Sequence, residues 1–453
     1  MQARRKVFTT VLSTAAVMAT AGLTFGQSFV QVGPDTDVSD MSDDGAIVVG
    51  NLFSGGGYIW TEADGLTPIG GGSGSPYISA DGSTVVGEDT DADGKGEAAI
   101  WMGGTNWQLL GGVPGGESCD AFFSSAWGTN GDGSQIVGLA WVPNCRAHAF
   151  IYDAVNGMVD LGTTVDGRST RANGIADDGS VIVGWQDAVD GFRQGASWTN
   201  GVQTLYTMTL NGQELGVGEA QAANADGSVI VGSNNPLLGG WRWTAAGGVE
   251  DTGTLSGFNY SGHNTDVSDD GNTIVGFSGF AFDRQAHIWT ADGGLEQLDA
   301  YLIAHGVNVP DGWSSQVATA ISGDGRTIAG FGFDAQFNLS GFVATLPGPT
   351  GLNLTVDPLV AGSKSLIQVD GADAGARIVL AYSTVGEGST DIPQLNVTLG
   401  LDSARFAKIG LADDSGHASY MAQVPAAWGG TEIWIQAAAR ETVSNIHHEV
   451  IGN

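Results

Sequence analysis

The sequence predicts an all-β protein: a seven-bladed β-propeller closed by its own N-terminal strand, followed by a small C-terminal β-sandwich. Three observations carry that expectation. The heptapeptide Asp-Gly-x-x-[Val/Ile]-[Val/Ala]-Gly occurs seven times, and self-similarity at a regular spacing marks a repeat architecture. Each copy is trailed by further strand-like runs, which makes a unit of about four strands. The repeat then stops at Pro347-Gly348-Pro349, and the remaining hundred or so residues have a different pattern.

In chain order, the first residues place Arg4, Arg5 and Lys6 ahead of an apolar run from Val7 to Phe25. Cations followed by a short apolar stretch read as a secretory signal peptide, assigned to residues 1–26. Export puts the mature protein in the extracellular space or on the cell surface, with the periplasm as the further compartment. No later run is long or apolar enough to span a bilayer as a helix.

Residues 27–346 are assigned to the propeller. The Asp-Gly pairs begin at Asp44, Asp81, Asp132, Asp178, Asp226, Asp270 and Asp324, and the second glycine of each copy is Gly50, Gly87, Gly138, Gly184, Gly232, Gly276 and Gly330. Asp-Gly between two apolar runs reads as a tight hairpin of type I′, joining the first and second strands of each unit. A small residue then precedes an aromatic by three places, as in Gly57 and Trp60 or Gly195 and Trp198. One such aromatic per unit points to packing between blades. A fourth run, such as Val202–Leu205, closes six units. The seventh lacks it, and Phe29–Gly33 stands unpaired at the mature N-terminus. Pairing the two completes the seventh blade and removes an exposed sheet edge.

These units resemble the bacterial extracellular repeat family called HAF: His148-Ala149-Phe150 spells the name, and Ala286-His287-Ile288-Trp289 is a near variant. The resemblance spans residues 29–346 or so. It implies an extracellular propeller-like repeat and no particular chemistry.

Residues 347–351 read as a linker, and 352–453 as a β-sandwich of immunoglobulin-like type, with seven short runs at Leu352–Val356, Leu366–Val369, Ile378–Tyr382, Val397–Leu401, Ala418–Val424, Ile433–Ala437 and Ile446–Ile451.

Composition narrows the partners. Lys and Arg number 16 against 49 Asp and Glu, a formal charge of -33, so nucleic acid and anionic membranes are poor partners. Charged residues are 14% of the chain against roughly 25% ordinarily. Glycine supplies 73 positions, which suits many tight turns.

Three sets of residues are singled out as sites. Asp89, Asp91, Asp93, Lys95 (through its carbonyl) and Glu97 alternate oxygen ligands around Gly94 in the manner of a Ca²⁺ loop. Ile100 stands where an EF-hand carries its bidentate glutamate. Cys119 and Cys145 are expected to form a disulfide, as befits an oxidising compartment. Trp141, Trp185, Phe192, Phe277, Phe331 and Trp313 fall where loops of one face converge, either as a sugar-stacking rim or as plugs that pin those loops to the blades.

No nucleophile elbow, His-Glu-x-x-His or phosphate-binding glycine loop is present. The reading is therefore a secreted or cell-surface binding or scaffold protein that contacts polysaccharide or protein, and not an enzyme. The alternatives are a polysaccharide-degrading enzyme with carboxylates at the channel mouth and a structural component of an outer layer.

Overall fold

The computed structural model describes residues 28–119, 121–233, 239–258, 261–280, 283–347, 351–373, 375–413, 416–440 and 442–452. The leader at 1–26 and most of the linker lie outside them. Among the described residues the protein is all-β with one short α-helix, Leu298–Ala304.

Residues 28–345 form seven four-stranded antiparallel sheets. Six are plain meanders, such as Thr170–Ile175, Ile182–Asp187, Arg193–Thr199 and Val202–Leu205. The seventh takes three strands from Ser314–Ile321, Thr327–Phe333 and Leu339–Thr345, and its fourth is the N-terminal strand Ser28–Pro34, antiparallel to Leu339–Thr345 with Phe29 opposite Ala344. The expected pairing of Phe29–Gly33 with the seventh unit is thus observed.

The first strand of each sheet touches the first strands of the sheets before and after it, and the seventh touches the first. Cores form between sheets: Val48, Tyr58 and Trp60 of the first sheet pack on Ala320, Ala329 and Val343 of the seventh. The repeated aromatics share in this packing, and Trp60 and Trp198 are buried.

Both glycines of the heptapeptide have physical causes. All seven glycines of the Asp-Gly pairs have φ between +67° and +76°, where a Cβ is disfavoured. The aspartates before them do not have positive φ, so the turns are not type I′. Each Asp instead accepts, through Oδ1, the N–H two residues on, as Asp44 does from Ala46 and Asp324 from Arg326. Its side chain closes the turn and its backbone need not be left-handed.

The second glycine lies where the bulged first strand comes closest. A Cβ on Gly50, Gly138, Gly184, Gly232, Gly276 or Gly330 would sit within 2.3 Å of the carbonyl of Asp37, Ser125, Arg171, Glu219, His263 or Val317 respectively. At Gly87 the nearest atom is 3.4 Å away.

Two elements between sheets escaped the sequence pattern. The hairpin Thr207–Leu210 and Gln213–Gly216 follows the fourth sheet, and the helix Leu298–Ala304 precedes the seventh. The helix packs Leu298 and Leu302 into the core beside Trp313.

Beyond the linker, Asn353–Val356, Lys364–Asp370 and Ala418–Gln423 form a three-stranded sheet, and Arg377–Ser383, Arg405–Leu411, Glu432–Ala439, Thr442–Val443 and His447–Val450 a five-stranded one. Leu354, Ile367, Val369 and Tyr420 of the first share a core with Ile378, Leu380, Ile433 and Ile435 of the second. All seven runs read from the sequence contain strand. Glu387–Ile392, Arg405–Leu411 and Thr442–Val443 are additional; Arg405–Leu411 is almost wholly exposed and so lacks the apolar alternation that marks a half-buried strand.

Candidate functional site

The first strands enclose a cavity of about 170 Å³ lined by residues of all seven sheets. Each strand runs from a loop face, where the connections between sheets lie, to a hairpin face carrying the Asp-Gly turns. The two ends of the cavity differ in chemistry.

At the hairpin end, backbone bonds run from turn to turn. The N–H groups of Asp43, Asp81, Gly131, Asp178, Asp269 and Gly323 donate to the carbonyls of Ala80, Gly131, Asp177, Ala225, Gly323 and Asp43, at 2.9–3.1 Å. The Asn224 amide completes the circuit by donating to the Asp269 carbonyl at 2.8 Å. Asp43, Asp177 and Asp269 line this end. Burial, with the charges of Asp269 and Asp177 behind it, pushes Asp43 up to about 7, and Arg440 opposes this. Burial raises Asp177 to about 6. Arg440, from the C-terminal unit, reaches across to Asp269 at 3.2 Å and to the Gly323 carbonyl at 3.5 Å.

Deeper in the cavity, Asp40 and Asp266 brace neighbouring sheets. Asp40 accepts the N–H of Met41 and, from the next sheet, of Ile78. Asp266 accepts those of Val267 and, from the next sheet, Ile321. Burial raises Asp40 to about 6 and Asp266 to about 8. Ser39 and Thr265 likewise donate across to the carbonyls of Pro76 and Ala318. These polar groups are engaged in holding the sheets together.

The loop end is different. Here stand Arg171, Glu219 and His263, residues whose carbonyls the second glycines admit. Glu219 accepts from Arg171 at 3.1 Å and from Arg193 at 2.5 Å. The Arg171 guanidinium lies 3.9 Å from the Trp127 ring and 5.4 Å from that of Trp185, and Arg193 lies 4.2 Å over Trp185. The Nε1 atoms of Trp127 and Trp185 have no hydrogen-bond partner among the described residues. Burial lowers His263, whose ring stacks on Phe277 at 4.5 Å. Arg284 lies 5.6 Å from both Phe277 and Phe331.

The residues singled out from the sequence divide. Cys119 and Cys145 are bonded to one another, joining the loop before the third sheet to its second hairpin. The six aromatics divide between the rim and the plug readings. Trp313 is buried against Phe29 and Phe342, and Trp185 is buried beneath two guanidiniums; each is a wall or floor and not a rim. Trp141, Phe277 and Phe331 are half-buried within the second strands of their sheets, while Phe192 is 61% exposed. Arg171, Arg193, Glu219, His263 and Arg284 were not singled out. The scarcity of cations in this chain was the available signal, since the seven sheets hold only eight Lys and Arg in all.

The Asp89–Glu97 segment is a β-hairpin with Asp89 opposite Glu97. Asp91 Oδ1 accepts from the N–H groups of Asp93 and Lys95, and the Lys95 carbonyl accepts the Asp91 N–H. Glu97 turns to the Gly111 N–H, and the Lys95 ammonium lies over Phe123. Among the described residues, no group of three or more His, Cys, Asp or Glu is arranged to hold a metal ion.

No family model matches this chain, and no curated protein matches it. Among solved structures it is similar to TolB from Acinetobacter baumannii, with 12% identity over 57% of this chain and 61% of that one, and a TM-score of 0.38. It is also similar to the putative TolB from Agrobacterium tumefaciens (14% identity, 70% of this chain, 91% of that one, TM-score 0.37). A third is the β-propeller domain of the Trilobed protease from Pyrococcus furiosus (12% identity, 68% and 95%, TM-score 0.44). The chain thus spans less than two thirds of the length of the first of these. At such identities nothing of their activities passes to this chain.

The disulfide is compatible with an extracellular or periplasmic location. Among the described residues, no helix is long and apolar enough to cross a membrane.

Proposed function

We propose that the seven sheets are the blades of a HAF-type β-propeller, that residues 352–453 are an immunoglobulin-like β-sandwich, and that the exported protein binds a polysaccharide at the loop end of the ring. The observation that carries this reading is the contrast between the two ends. The hairpin end is laced by backbone hydrogen bonds and capped by Arg440. The loop end gathers Arg171, Arg193, Glu219 and His263 beside the half-buried rings of Phe277 and Phe331, with the indoles of Trp127 and Trp185 beneath the guanidiniums. Aromatic faces beside directional polar groups are what a sugar ring requires of a protein surface.

The degradative alternative needs two carboxylates flanking a glycosidic bond. Both oxygens of Glu219 are already held by guanidiniums, and Asp37 at the corresponding place in the first sheet accepts the Asn51 N–H; this favours binding over cleavage.

The test is binding of the mature protein to an array of cell-wall and marine polysaccharides, with and without Ca²⁺, with released reducing sugar read in the same wells. Binding without release supports the proposal, and dependence on Ca²⁺ that Asp91→Ala removes would place the ion in the Asp89–Glu97 hairpin. Sugar release would make the protein an enzyme. Silence in both readouts would move it to a structural or protein-binding role.

A further inference from the structure

One arginine at the loop end combines a missing counter-charge with a buried Nε that has no partner among the described residues. Arg284 forms no ion pair among the described residues, although the protein carries 49 acidic side chains. Its Nε is buried without a hydrogen-bond partner among those residues. Its guanidinium is wedged between Phe277 and Phe331, 5.6 Å from each ring. Burial lowers its pKa with no compensating charge beside it. At the same mouth Arg171 and Arg193 share Glu219; Arg146 and Arg168 of that face also form no ion pair among the described residues, but neither has a buried nitrogen without a partner there, as Arg284 has.

A partly desolvated guanidinium without a carboxylate is costly to a fold that could as easily have placed a glutamine there. Its planar fork of donors matches a carboxylate. His263 of the same mouth stacks on Phe277 at 4.5 Å, and Arg284 lies 5.6 Å from that same ring. Phe280, at the end of the adjoining strand, is 82% exposed and offers a face for stacking.

We propose that Arg284 is an anion-recognition residue, and that the saccharide taken at this mouth carries a carboxylate, as a uronic-acid unit does, which pairs with the Arg284 guanidinium between Phe277 and Phe331. This rests on the polysaccharide-binding reading above and adds the charge of the sugar. The chain's large negative charge repels a densely charged polyanion, whereas one carboxylate on an otherwise neutral chain meets that repulsion once and gains a partly desolvated ion pair. The ligand class is therefore a sparsely acidic glycan.

The experiment titrates the mature protein with a neutral oligosaccharide bearing one glucuronate and with the methyl ester of the same compound, by calorimetry. The acid should bind at least tenfold more tightly than the ester. Arg284→Gln should abolish the preference for acid over ester, and Arg284→Lys should keep part of it. In parallel, the Arg284 Nε–H resonance of the unaltered protein should shift with the acid and stay in place with the ester, a readout that does not depend on the variants folding. Equal affinity for acid and ester, or an unmoved Arg284 resonance, would overturn the charge assignment while sparing the glycan-binding reading. Failure of acid, ester and neutral glycan alike to bind would overturn both.

Discussion

Asp266 offers a test of how the ring is held together. Its Oδ1 accepts the Val267 N–H at 2.9 Å, and its Oδ2 accepts the Ile321 N–H of the next sheet at 2.8 Å. Enclosure in the ring pushes it up to about 8, against roughly 3.9 in an unfolded chain. Between those values the folded state keeps a proton that the unfolded state has lost. A raised acid contributes stability that is complete below the unfolded pKa and disappears as pH rises through the folded one, at most about 1.4 kcal/mol per pH unit. Asp40 and Asp177, at about 6, have finished titrating by pH 7. From pH 7 to 8, Asp266 should then cost about 1 kcal/mol and Asp43, at about 7, roughly a third as much.

The assay is urea unfolding at half-unit steps from pH 6.5 to 8.5, followed by tryptophan fluorescence. Asp266→Asn removes the ionisation. It also replaces one acceptor by an NH₂ group that cannot accept, a pH-independent loss of about 1 kcal/mol. The two effects separate as slope and offset. A wild-type stability that is flat between pH 7 and 8, or a slope that survives in Asp266→Asn, would refute the assignment of a neutral, bracing Asp266.

Three other perturbations have outcomes set by the geometry. Gly184→Ala puts a Cβ 2.0 Å from the Arg171 carbonyl and should destabilise by roughly 3 kcal/mol, whereas Gly87→Ala, with 3.4 Å to the nearest atom, should stay within about 1 kcal/mol; chemical denaturation of the two variants compares them directly. Reduction of Cys119–Cys145, or the double Ser substitution, opens a link across 26 residues and should cost about 3.5 kcal/mol, read as a lower urea midpoint with and without reductant. Arg440→Ala breaks a half-exposed contact between the C-terminal unit and Asp269. It should change stability by less than about 1 kcal/mol but loosen the two units, seen as a larger radius of gyration in solution scattering and faster proteolysis near residue 350; unchanged values would mean that Arg440 does not hold them together.

How far the sequence is legible here depends on whether a residue's role is local. The Asp-Gly turns, the seven units, the N-terminal strand that completes the seventh, and the cysteine pair were all readable. Each rests on short-range backbone preference, on alternation, or on counting. The turn type was misread because the Asp side chain does by hydrogen bonding what a left-handed Asp would have done by conformation. The second glycine was visible as a pattern, but its cause was not, because the atom it must clear belongs to the bulged first strand of the same sheet.

The site is the reverse case. For Trp185 and Trp313 the sequence left rim and plug open, because the position of an aromatic along the chain does not say which way its ring faces. Arg171, Arg193, Glu219 and Arg284 are separated by up to 113 positions in the chain and share no motif. By itself the sequence determined the repeat, its turns and the strands that the turns join, since these arise from interactions within a few residues. The packing of the sheets decided which charges meet: it set Glu219 between two arginines, raised the pKa of Asp266, and left Arg284 between two phenyl rings without an acid among the described residues. Those outcomes depend on distance through space and on the exclusion of water, which only the packed sheets create.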